Sequence, residues 1–336
     1  MVEKPLASEV QIDIFERIGP KRLLFFSHDA NGIEGRVVDI QKVYIVGAGV
    51  MGTGIAETIA STGTEVILID KNTELAETGV KHIDESMTRE IERWGLTDSE
   101  KKAALARITP SGDLSQIGEA QMVIEAIPDR LNLKRGIFGD MDKLAPPEAI
   151  LVTNTSTLSI SEIASATRRP EKVIGMHFLN PVPKVQIVEI VRGLRTSDET
   201  YKTIREFAQL INKRPILVNE YPGYVTTRII VPFLNEAMHV LMEGISTAED
   251  IDTAMKLGFG FNVGPLALAD MMGLDEVMSW MENLISELSE HKYNPCPLLR
   301  KMVRAGRLGV KTGEGFFKYD AEGNRIRSAV EGGKIP

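Results

Sequence analysis

One segment near the start of the chain, residues 42–70, constrains the fold more than any other: KVYIVGAGVMGTGIAETIASTGTEVILID. A short β-branched run leads into three glycines spaced GxGxxG, and a helical stretch and a second strand follow. Gly47 allows a tight turn, Gly49 lets the backbone approach a pyrophosphate, and Gly52 lets the helix pack on the strand. The helix N-terminus then faces the phosphates. This order of parts predicts the first βαβ unit of a Rossmann-type dinucleotide-binding domain, whereas the glycine motif alone would be weak evidence.

The acidic residue at the end of the second strand indicates which dinucleotide binds. Asp70 lies 18 residues after Gly52, where a carboxylate can accept hydrogen bonds from both ribose hydroxyls of an adenosine. A carboxylate at this place repels a 2′-phosphate, so the sequence favours NAD over NADP as the cofactor. Lys71 follows directly and moderates that preference.

Further strands of a parallel sheet are predicted downstream. MVIEAI (122–127) and AILVTNTS (149–156) are typical of buried strands, and LNLKRGIFGDMDKL between them is typical of a crossover helix. The polar NTS sequence ends its strand at the edge of the sheet where ligands bind in open α/β folds. The charged helical patterns at about 73–94 and 98–106 are interpreted as a solvated hairpin.

A histidine and a glutamate lie on two predicted strands joined by an Asn-Pro-Val-Pro turn. His177 belongs to KVIGMHF and Glu189 to KVQIVEIV. If the two strands are neighbours, the two side chains face each other at the edge of the sheet. An imidazole titrates near neutrality, which suits a general acid–base, and a carboxylate on its other nitrogen fixes the tautomer. His177 alone could equally be a structural histidine, since it is one of five.

The second half of the chain changes to helical periodicity from Tyr224 onward. We expect an α/β protein in which an N-terminal Rossmann-type, doubly wound parallel sheet is followed by an all-α C-terminal domain. The predicted division is an extension of unknown role (1–40), the NAD-binding domain (41–220), a helical substrate and dimerisation domain (221–320) and a tail (321–336). The broad apolar faces of the helices favour a homodimer formed through the helical domain.

Composition excludes several functional classes. The net charge is −8 without a basic block, which argues against nucleic acid as a partner. The one cysteine excludes an internal disulfide or a cysteine metal cluster and favours a reducing compartment; no metal is expected. No apolar run reaches the length of a membrane span. The first residues are too acidic and polar for a secretory signal, so a soluble cytoplasmic protein is expected.

Taken together, the motifs resemble the short-chain L-3-hydroxyacyl-CoA dehydrogenases, from about residue 42 to residue 320. The resemblance rests on segments in the family's order: GAGVMGTGIA, VIEAI, NTSTLSI, HFLNPVP with a later VE, PGYVTTR, DIDTAMKLG, GPLALAD and GVKTGEGFFKY. The segment YNPCPLLRKMVRAGRLG is most similar to bacterial 3-hydroxybutyryl-CoA enzymes. The resemblance implies an NAD-dependent enzyme that interconverts L-3-hydroxyacyl-CoA and 3-ketoacyl-CoA with a short acyl chain.

The resemblance also implies roles for individual residues. It makes His177 the general acid–base and Glu189 its partner. The residues matching those that hydrogen-bond the reacting oxygen and its neighbours are Ser156, Asn180 and Thr227. The residues matching cofactor positions are Gly47, Gly49, Val50, Met51, Gly52, Asp70, Asp129, Lys134 and Ser156. Ser86 and Arg93 match positions that hold coenzyme A, although for Ser86, Arg93, Asp129 and Lys134 a solvated surface role is the alternative.

Two positions depart from the family pattern. Thr227 stands where the family usually has asparagine, and threonine is shorter and lacks the amide. Asn262 stands where the family often has proline. Thr227 supports one alternative, an NAD-binding relative with weak or no turnover. The other alternative is a related dehydrogenase of a small hydroxy acid, which would need neither Ser86 nor Arg93 because it binds no coenzyme A.

Overall fold

The computed structural model describes residues 40–92 and 95–326. Within these ranges, eight strands form one sheet in the order β3-β2-β1-β4-β5-β6-β7-β8. The strands are β1 (Lys42–Val46), β2 (Glu65–Ile69), β3 (Ile108–Ser111), β4 (Met122–Glu125), β5 (Ile150–Thr153), β6 (Val173–Phe178), β7 (Ile187–Arg192) and β8 (Arg214–Asn219). The predicted extension (1–40) and tail (321–336) lie largely outside the described residues, so their bounds stay predictions.

The sheet is mostly parallel but reverses once. Strands β1 to β6 pair in parallel, β6 pairs with β7 antiparallel, and β7 pairs with β8 in parallel. A short turn can join only antiparallel neighbours, because parallel strands need a long crossover. The segment with the Asn-Pro-Val-Pro turn is a short connection of this kind, and the two strands that it joins are neighbours in the sheet, as expected. The expected Rossmann-type sheet is thus mostly parallel and contains one antiparallel pair, β6 with β7.

The helices within the described ranges surround the sheet and then form a bundle of their own. They are α1 (Val50–Ser61), α2 (Thr73–Glu92), α3 (Asp98–Leu105), α4 (Leu131–Leu144), α5 (Ile160–Ala164), α6 (Asp198–Leu210), α7 (Thr226–Met242), α8 (Ala248–Phe259), α9 (Pro265–Met272), α10 (Leu274–Leu288) and α11 (Pro297–Arg304). The helices α1 to α6 lie between strands along the chain, and α7 to α11 follow the last strand. The predicted fold class, a Rossmann-type domain followed by a helical domain, is confirmed.

Each of these two parts contains an apolar core among the described residues. The first packs the sheet against α4 and α5 and includes Phe138, Met141 and Ile160. The second lies among α7 to α11 and includes Leu234 and Met281. None of the helices in the described ranges combines the length and apolar character that a membrane crossing needs.

Buried carboxylates hold the helical part together. Asp252 in α8 accepts hydrogen bonds from the first backbone N–H groups of α9 (Leu266 and Ala267). Asp270 in α9 accepts from the backbone of Phe316 and Phe317, at 2.9 Å each. Burial raises the pKa of Asp270 to about 6 despite these hydrogen bonds. These contacts position the segment after α11 against the bundle.

Candidate active site

The glycine loop after β1 has the shape that a dinucleotide phosphate requires. Gly47 has φ of +111°, and a Cβ there would lie 2.7 Å from the carbonyl oxygen of Ala126. A Cβ on Gly52 would lie 1.7 Å from the carbonyl oxygen of Gly47, whereas one on Gly49 would meet nothing within 4 Å. Two glycines are therefore required by packing and the third leaves open space at the start of α1. Val50 and Met51 form the first turn of that helix, and Val50 is exposed.

Asp70 closes the loop from the neighbouring strand. Its Oδ2 accepts a hydrogen bond from the backbone N–H of Ala48 at 2.7 Å, and its Oδ1 accepts from Lys71 N at 2.7 Å. The carboxylate therefore lies beside the glycine loop at the carboxyl end of β2, where a ribose attached to the pyrophosphate would reach it. These residues fit an adenine dinucleotide.

A buried charged cluster occupies the carboxyl ends of β4 and β5. Lys134, fully buried on α4, donates to Glu125 Oε1 at 2.6 Å and to the carbonyl oxygens of Ile127 and Asn154 at 3.1 Å each. Its ammonium group also lies 3.3 Å from Asp129 Oδ1. An ammonium group has three protons, so protein oxygens already use those of Lys134.

Asp129 connects this cluster to the segment after β5. Its Oδ2 accepts a hydrogen bond from the backbone N–H of Ser156 at 2.9 Å. Glu125, which sequence reasoning missed, also accepts from Thr153 Oγ1 at 2.7 Å. Burial raises the pKa of Glu125, and the charge and hydrogen bond of Lys134 oppose that effect. The cluster brings together Asp129, Lys134 and Ser156, three residues expected at cofactor positions, and it places Lys134 beneath the surface.

His177 and Glu189 are paired across β6 and β7. The two residues are in register in the antiparallel ladder, and His177 Nδ1 lies 2.6 Å from Glu189 Oε2. The side chains are almost completely buried, with 3% and 0% of their surface exposed. The carboxylate thereby leaves the Nε2 atom of the imidazole as the nitrogen that can exchange a proton with a ligand.

The N-terminus of α7 holds the other side of Glu189. The Oε1 atom accepts from the backbone N–H groups of Val225 at 3.1 Å and Thr226 at 2.9 Å. The Oε2 atom accepts from Thr226 Oγ1 at 2.8 Å. Burial of Glu189 acts to raise its pKa, but the hydrogen bonds and charge of His177 and the hydrogen bonds of Thr226 outweigh it, and the pKa lies below its ordinary value. Helix N-termini stabilise such a negative charge.

The structure distinguishes two adjacent threonines that the sequence did not. Thr227 was predicted as a site residue, and it is buried at the start of α7. Within the described part of the chain, however, it donates to neither oxygen of Glu189. Thr226 makes that contact. The signal that could have found Thr226 is its place at the first position of a helix that follows a turn.

Ser156 and Asn180 lie on segments that the structure joins. The side-chain oxygen of Asn154 accepts from the backbone N–H of Phe178 at 3.0 Å, which ties the segment before Ser156 to the end of β6. Asn180 is exposed just beyond β6. The loop after Asn180 is held by Lys213, whose ammonium group donates to the carbonyl oxygens of Val182 and Val185 at 2.6 Å each.

Tyr224 lies against the histidine. Its ring centroid is 5.6 Å from that of His177, and its hydroxyl donates to the carbonyl oxygen of Leu158 at 2.8 Å. Tyr224 therefore links the segment that carries Ser156 to the chain leading into α7.

The residues predicted to hold coenzyme A are only partly described. Ser86 is half-buried on α2, and its hydroxyl is hydrogen-bonded to the carboxyl of Glu57. Arg93 lies outside the described residues. Nearby, Lys184 in the loop after β6 forms a 2.8 Å ion pair with Glu90 on α2. Within the described ranges, no group of three or more His, Cys, Asp or Glu side chains is placed to hold a metal ion.

Two family models match adjacent parts of this chain. The model of the 3-hydroxyacyl-CoA dehydrogenase NAD binding domain matches residues 42–221. The model of the 3-hydroxyacyl-CoA dehydrogenase C-terminal domain matches residues 223–319.

Individual proteins match over most of the chain. This chain is 45% identical over 283 residues to the probable 3-hydroxybutyryl-CoA dehydrogenase of Bacillus subtilis (strain 168), and the match covers 84% of this chain and 99% of that protein. It is 36% identical over 291 residues to the mitochondrial hydroxyacyl-coenzyme A dehydrogenase of Homo sapiens, covering 83% of this chain and 91% of that protein. The crystal structure of (S)-3-hydroxybutyryl-CoA dehydrogenase from Ralstonia eutropha superposes with a TM-score of 0.77 at 42% identity, covering 84% of this chain and 100% of that chain.

Proposed function

The chain belongs to the 3-hydroxyacyl-CoA dehydrogenase family, and from this we propose that it oxidises a short-chain L-3-hydroxyacyl-CoA, such as 3-hydroxybutyryl-CoA, to the 3-ketoacyl-CoA and reverses that reaction. NAD is the cofactor. The observation that carries the proposed mechanism is the 2.6 Å contact between His177 Nδ1 and Glu189 Oε2. It fixes a buried imidazole with one nitrogen free for a substrate hydroxyl.

The chemistry requires that a proton and a hydride leave the same alcohol. NAD supplies the acceptor for the hydride from the carbinol carbon. His177 Nε2 takes the hydroxyl proton while the carbon–oxygen double bond forms, and it returns that proton in the reverse direction. Glu189 supports the imidazolium and keeps Nδ1 protonated.

Three further residues are proposed to contact the reacting part of the substrate. Ser156 and Asn180 follow β5 and β6, at the sheet edge where ligands bind in such folds. Thr227 lies in the first turn of α7. Their hydroxyl and amide groups can donate to the substrate oxygen while His177 exchanges its proton.

The residues on the cofactor side of the site either contact NAD or support the residues that do. We propose that the backbone at Gly47, Gly49 and Gly52 receives the pyrophosphate and that Asp70 receives the ribose. Asp129 and the Ser156 backbone form the nicotinamide side. Lys134 supports them from within the protein, because its protons are used by protein oxygens.

Coenzyme A is the feature that separates the proposed substrate from a free hydroxy acid. Ser86 and Arg93 on the predicted helix are proposed to hold it. The test compares NADH oxidation with acetoacetyl-CoA and with free acetoacetate. A large preference for acetoacetyl-CoA is expected, whereas equal efficiency would favour a small hydroxy acid as the substrate.

We also propose a homodimer formed through the helical domain. Large apolar side chains are exposed at the end of α8 and just after it: Leu257 (83%), Phe259 (76%) and Phe261 (40%). Exposed apolar side chains so close together are typical of an interaction surface. Light scattering should give the mass of two chains for the unmutated protein and the mass of one chain for Phe259→Glu. A monomeric unmutated protein would contradict the proposal. A cytoplasmic location is proposed from the single cysteine.

A further inference from the structure

The hydroxyl of Thr226 contacts the oxygen of Glu189 that also faces the histidine. Thr226 Oγ1 lies 2.8 Å from Glu189 Oε2, and His177 Nδ1 lies 2.6 Å from the same atom. The two backbone N–H groups at the start of α7 bind the other oxygen, Oε1. The hydroxyl and the imidazole therefore share the acceptor that orients the catalytic histidine.

We propose that Thr226 is a positioning residue of the His177–Glu189 pair, and that its hydroxyl sets the pH range in which His177 exchanges its proton. The inference rests on the proposed roles of His177 and Glu189. Thr226 is not predicted to touch the substrate, and it acts through the carboxylate alone.

The physical argument concerns how one carboxylate oxygen divides its charge between two donors. A hydrogen bond to a carboxylate withdraws negative charge from the oxygen that accepts it and stabilises the ionised form. With the Thr226 hydroxyl present, Oε2 is a weaker partner for the imidazolium. Without it, the full acceptor strength of Oε2 faces His177, so the protonated imidazole is stabilised. Because Glu189 is completely buried, water cannot easily replace the lost donor.

Other ionisable groups near His177 and Glu189 do not change how Thr226 and His177 share the Glu189 carboxylate. The ring of Tyr224, on the chain leading into α7, packs against His177. Burial, followed by the charges of Asp129, Glu220 and Glu189, raises the pKa of Tyr224 well above its ordinary value, so it stays neutral.

Groups on the neighbouring elements are neutral or paired elsewhere. On β8 the residue in register with Glu189 is the apolar Ile216. On α7, Arg228 lies 3.6 Å from Glu290. The buried Lys134 contacts Glu125 and Asp129 at the ends of other strands. Thr226 is thus the polar side chain that donates to the same Glu189 carboxylate as His177.

The experiment measures the pH profile of kcat/KM for the reduction of acetoacetyl-CoA by NADH. Reduction needs the protonated imidazole, so activity falls as the pH rises through the midpoint of the profile. In Thr226→Val, and equally in Thr226→Ala, we expect this midpoint to move to higher pH by roughly 0.3–1 unit, the size of one lost hydrogen bond. Thr226→Ser keeps a hydroxyl and should restore the original midpoint.

A matched control is Thr253→Val, which removes the hydroxyl of an exposed threonine in α8 and should leave the profile unmoved. A midpoint that stays constant in Thr226→Val or Thr226→Ala while activity falls equally at every pH would overturn the proposal and leave Thr226 a packing residue. A shift that Thr226→Ser fails to reverse would overturn it as well. Failure of the proposed function has a different signature, namely that His177→Gln keeps its turnover.

Discussion

Replacing Glu189 by glutamine tests the proposed chemistry most directly. The carboxylate accepts hydrogen bonds from the imidazole, from two backbone N–H groups and from the Thr226 hydroxyl. The amide oxygen of glutamine can keep the two backbone contacts at the Oε1 position. Its NH₂ group then occupies the Oε2 position and faces His177 Nδ1 as a donor. The imidazole must accept there, so its proton moves to Nε2, the nitrogen that has to receive the proton of the substrate.

The magnitude follows from two losses. A hydrogen bond to a charged group contributes about 1.5–3 kcal/mol, and about 1.4 kcal/mol changes a rate tenfold. Losing the carboxylate beside the imidazolium therefore lowers kcat by roughly 10- to 150-fold. The unfavourable tautomer adds to this, and we expect a total loss of about 10²–10³-fold in kcat.

The assay follows NADH consumption with acetoacetyl-CoA at saturating cofactor. A suitable control is Glu220→Gln, because Glu220 also accepts hydrogen bonds from two serine hydroxyls (Ser159 and Ser161) but does not bind the histidine. A Glu189→Gln variant that keeps more than about a tenth of the original kcat would refute the reasoning. So would a Glu220→Gln variant that loses as much activity.

The same substitution removes a pH-dependent part of the folding free energy. The pKa of Glu189 in the folded protein lies below its ordinary value of 4.5. Stabilisation by the carboxylate is therefore complete above that value and is lost as the pH falls through the folded pKa. Thermal unfolding between neutral pH and about pH 3 should show a smaller loss of Tm in Glu189→Gln than in the unmutated protein. Equal losses would mean that the carboxylate is not stabilised in the fold.

Four further substitutions test other parts of the molecule. Asp70→Ala should erode a preference for NADH over NADPH, and equal use of both by the unmutated protein would contradict the ribose contact. Arg93→Ala should raise KM for acetoacetyl-CoA more than it lowers kcat. An unchanged KM would favour the alternative, a solvated surface role for Arg93. Thr227→Val should lower kcat/KM roughly ten- to a hundredfold if its hydroxyl serves the substrate, and full activity over several chain lengths would make it a packing residue. Gly223→Ala should lower Tm and kcat together, because Gly223 has φ of +80° and a Cβ would lie 2.8 Å from Leu284 Cδ2; Gly258→Ala in α8, where a Cβ meets nothing within 4 Å, is the control.

The parts of the fold that the sequence predicted are those with local signals. The glycine loop, its helix and the following strand lie within 29 consecutive residues, so their spacing alone specifies their arrangement. The pairing of β6 with β7 was predictable because a short turn joins them. The two strands that were missed, β3 and β8, are the edges of the sheet. Both contain a proline, Pro110 and Pro215, and edge strands tolerate proline where central strands do not.

The candidate site was predicted less completely, because its contacts join residues far apart in the chain. The sequence predicted Lys134 beside the cofactor, but it could not show that the ammonium group is fully buried and bonded to oxygens at the end of β4 and just after β5. It named Thr227 for a substrate contact, which stays a prediction, and it did not single out Thr226. Whether Thr226 reaches Glu189, which lies 37 residues earlier in the chain, depends on how the first turn of α7 is rotated. Helical periodicity indicates that a helix begins, but not which of its first side chains faces another element.

The connection between the two domains is therefore part of the proposed active site. Gly223 and Tyr224 both have positive φ, +80° and +52°, and such a backbone turns the chain sharply before α7. This turn points the helix N-terminus at Glu189, which belongs to the sheet domain. The carboxylate can stay ionised without water because that N-terminus supplies three donors to it. The orientation of His177 consequently depends on the helical domain as well as on its own strand, and a change in how α7 begins should alter catalysis without touching either the substrate or NAD.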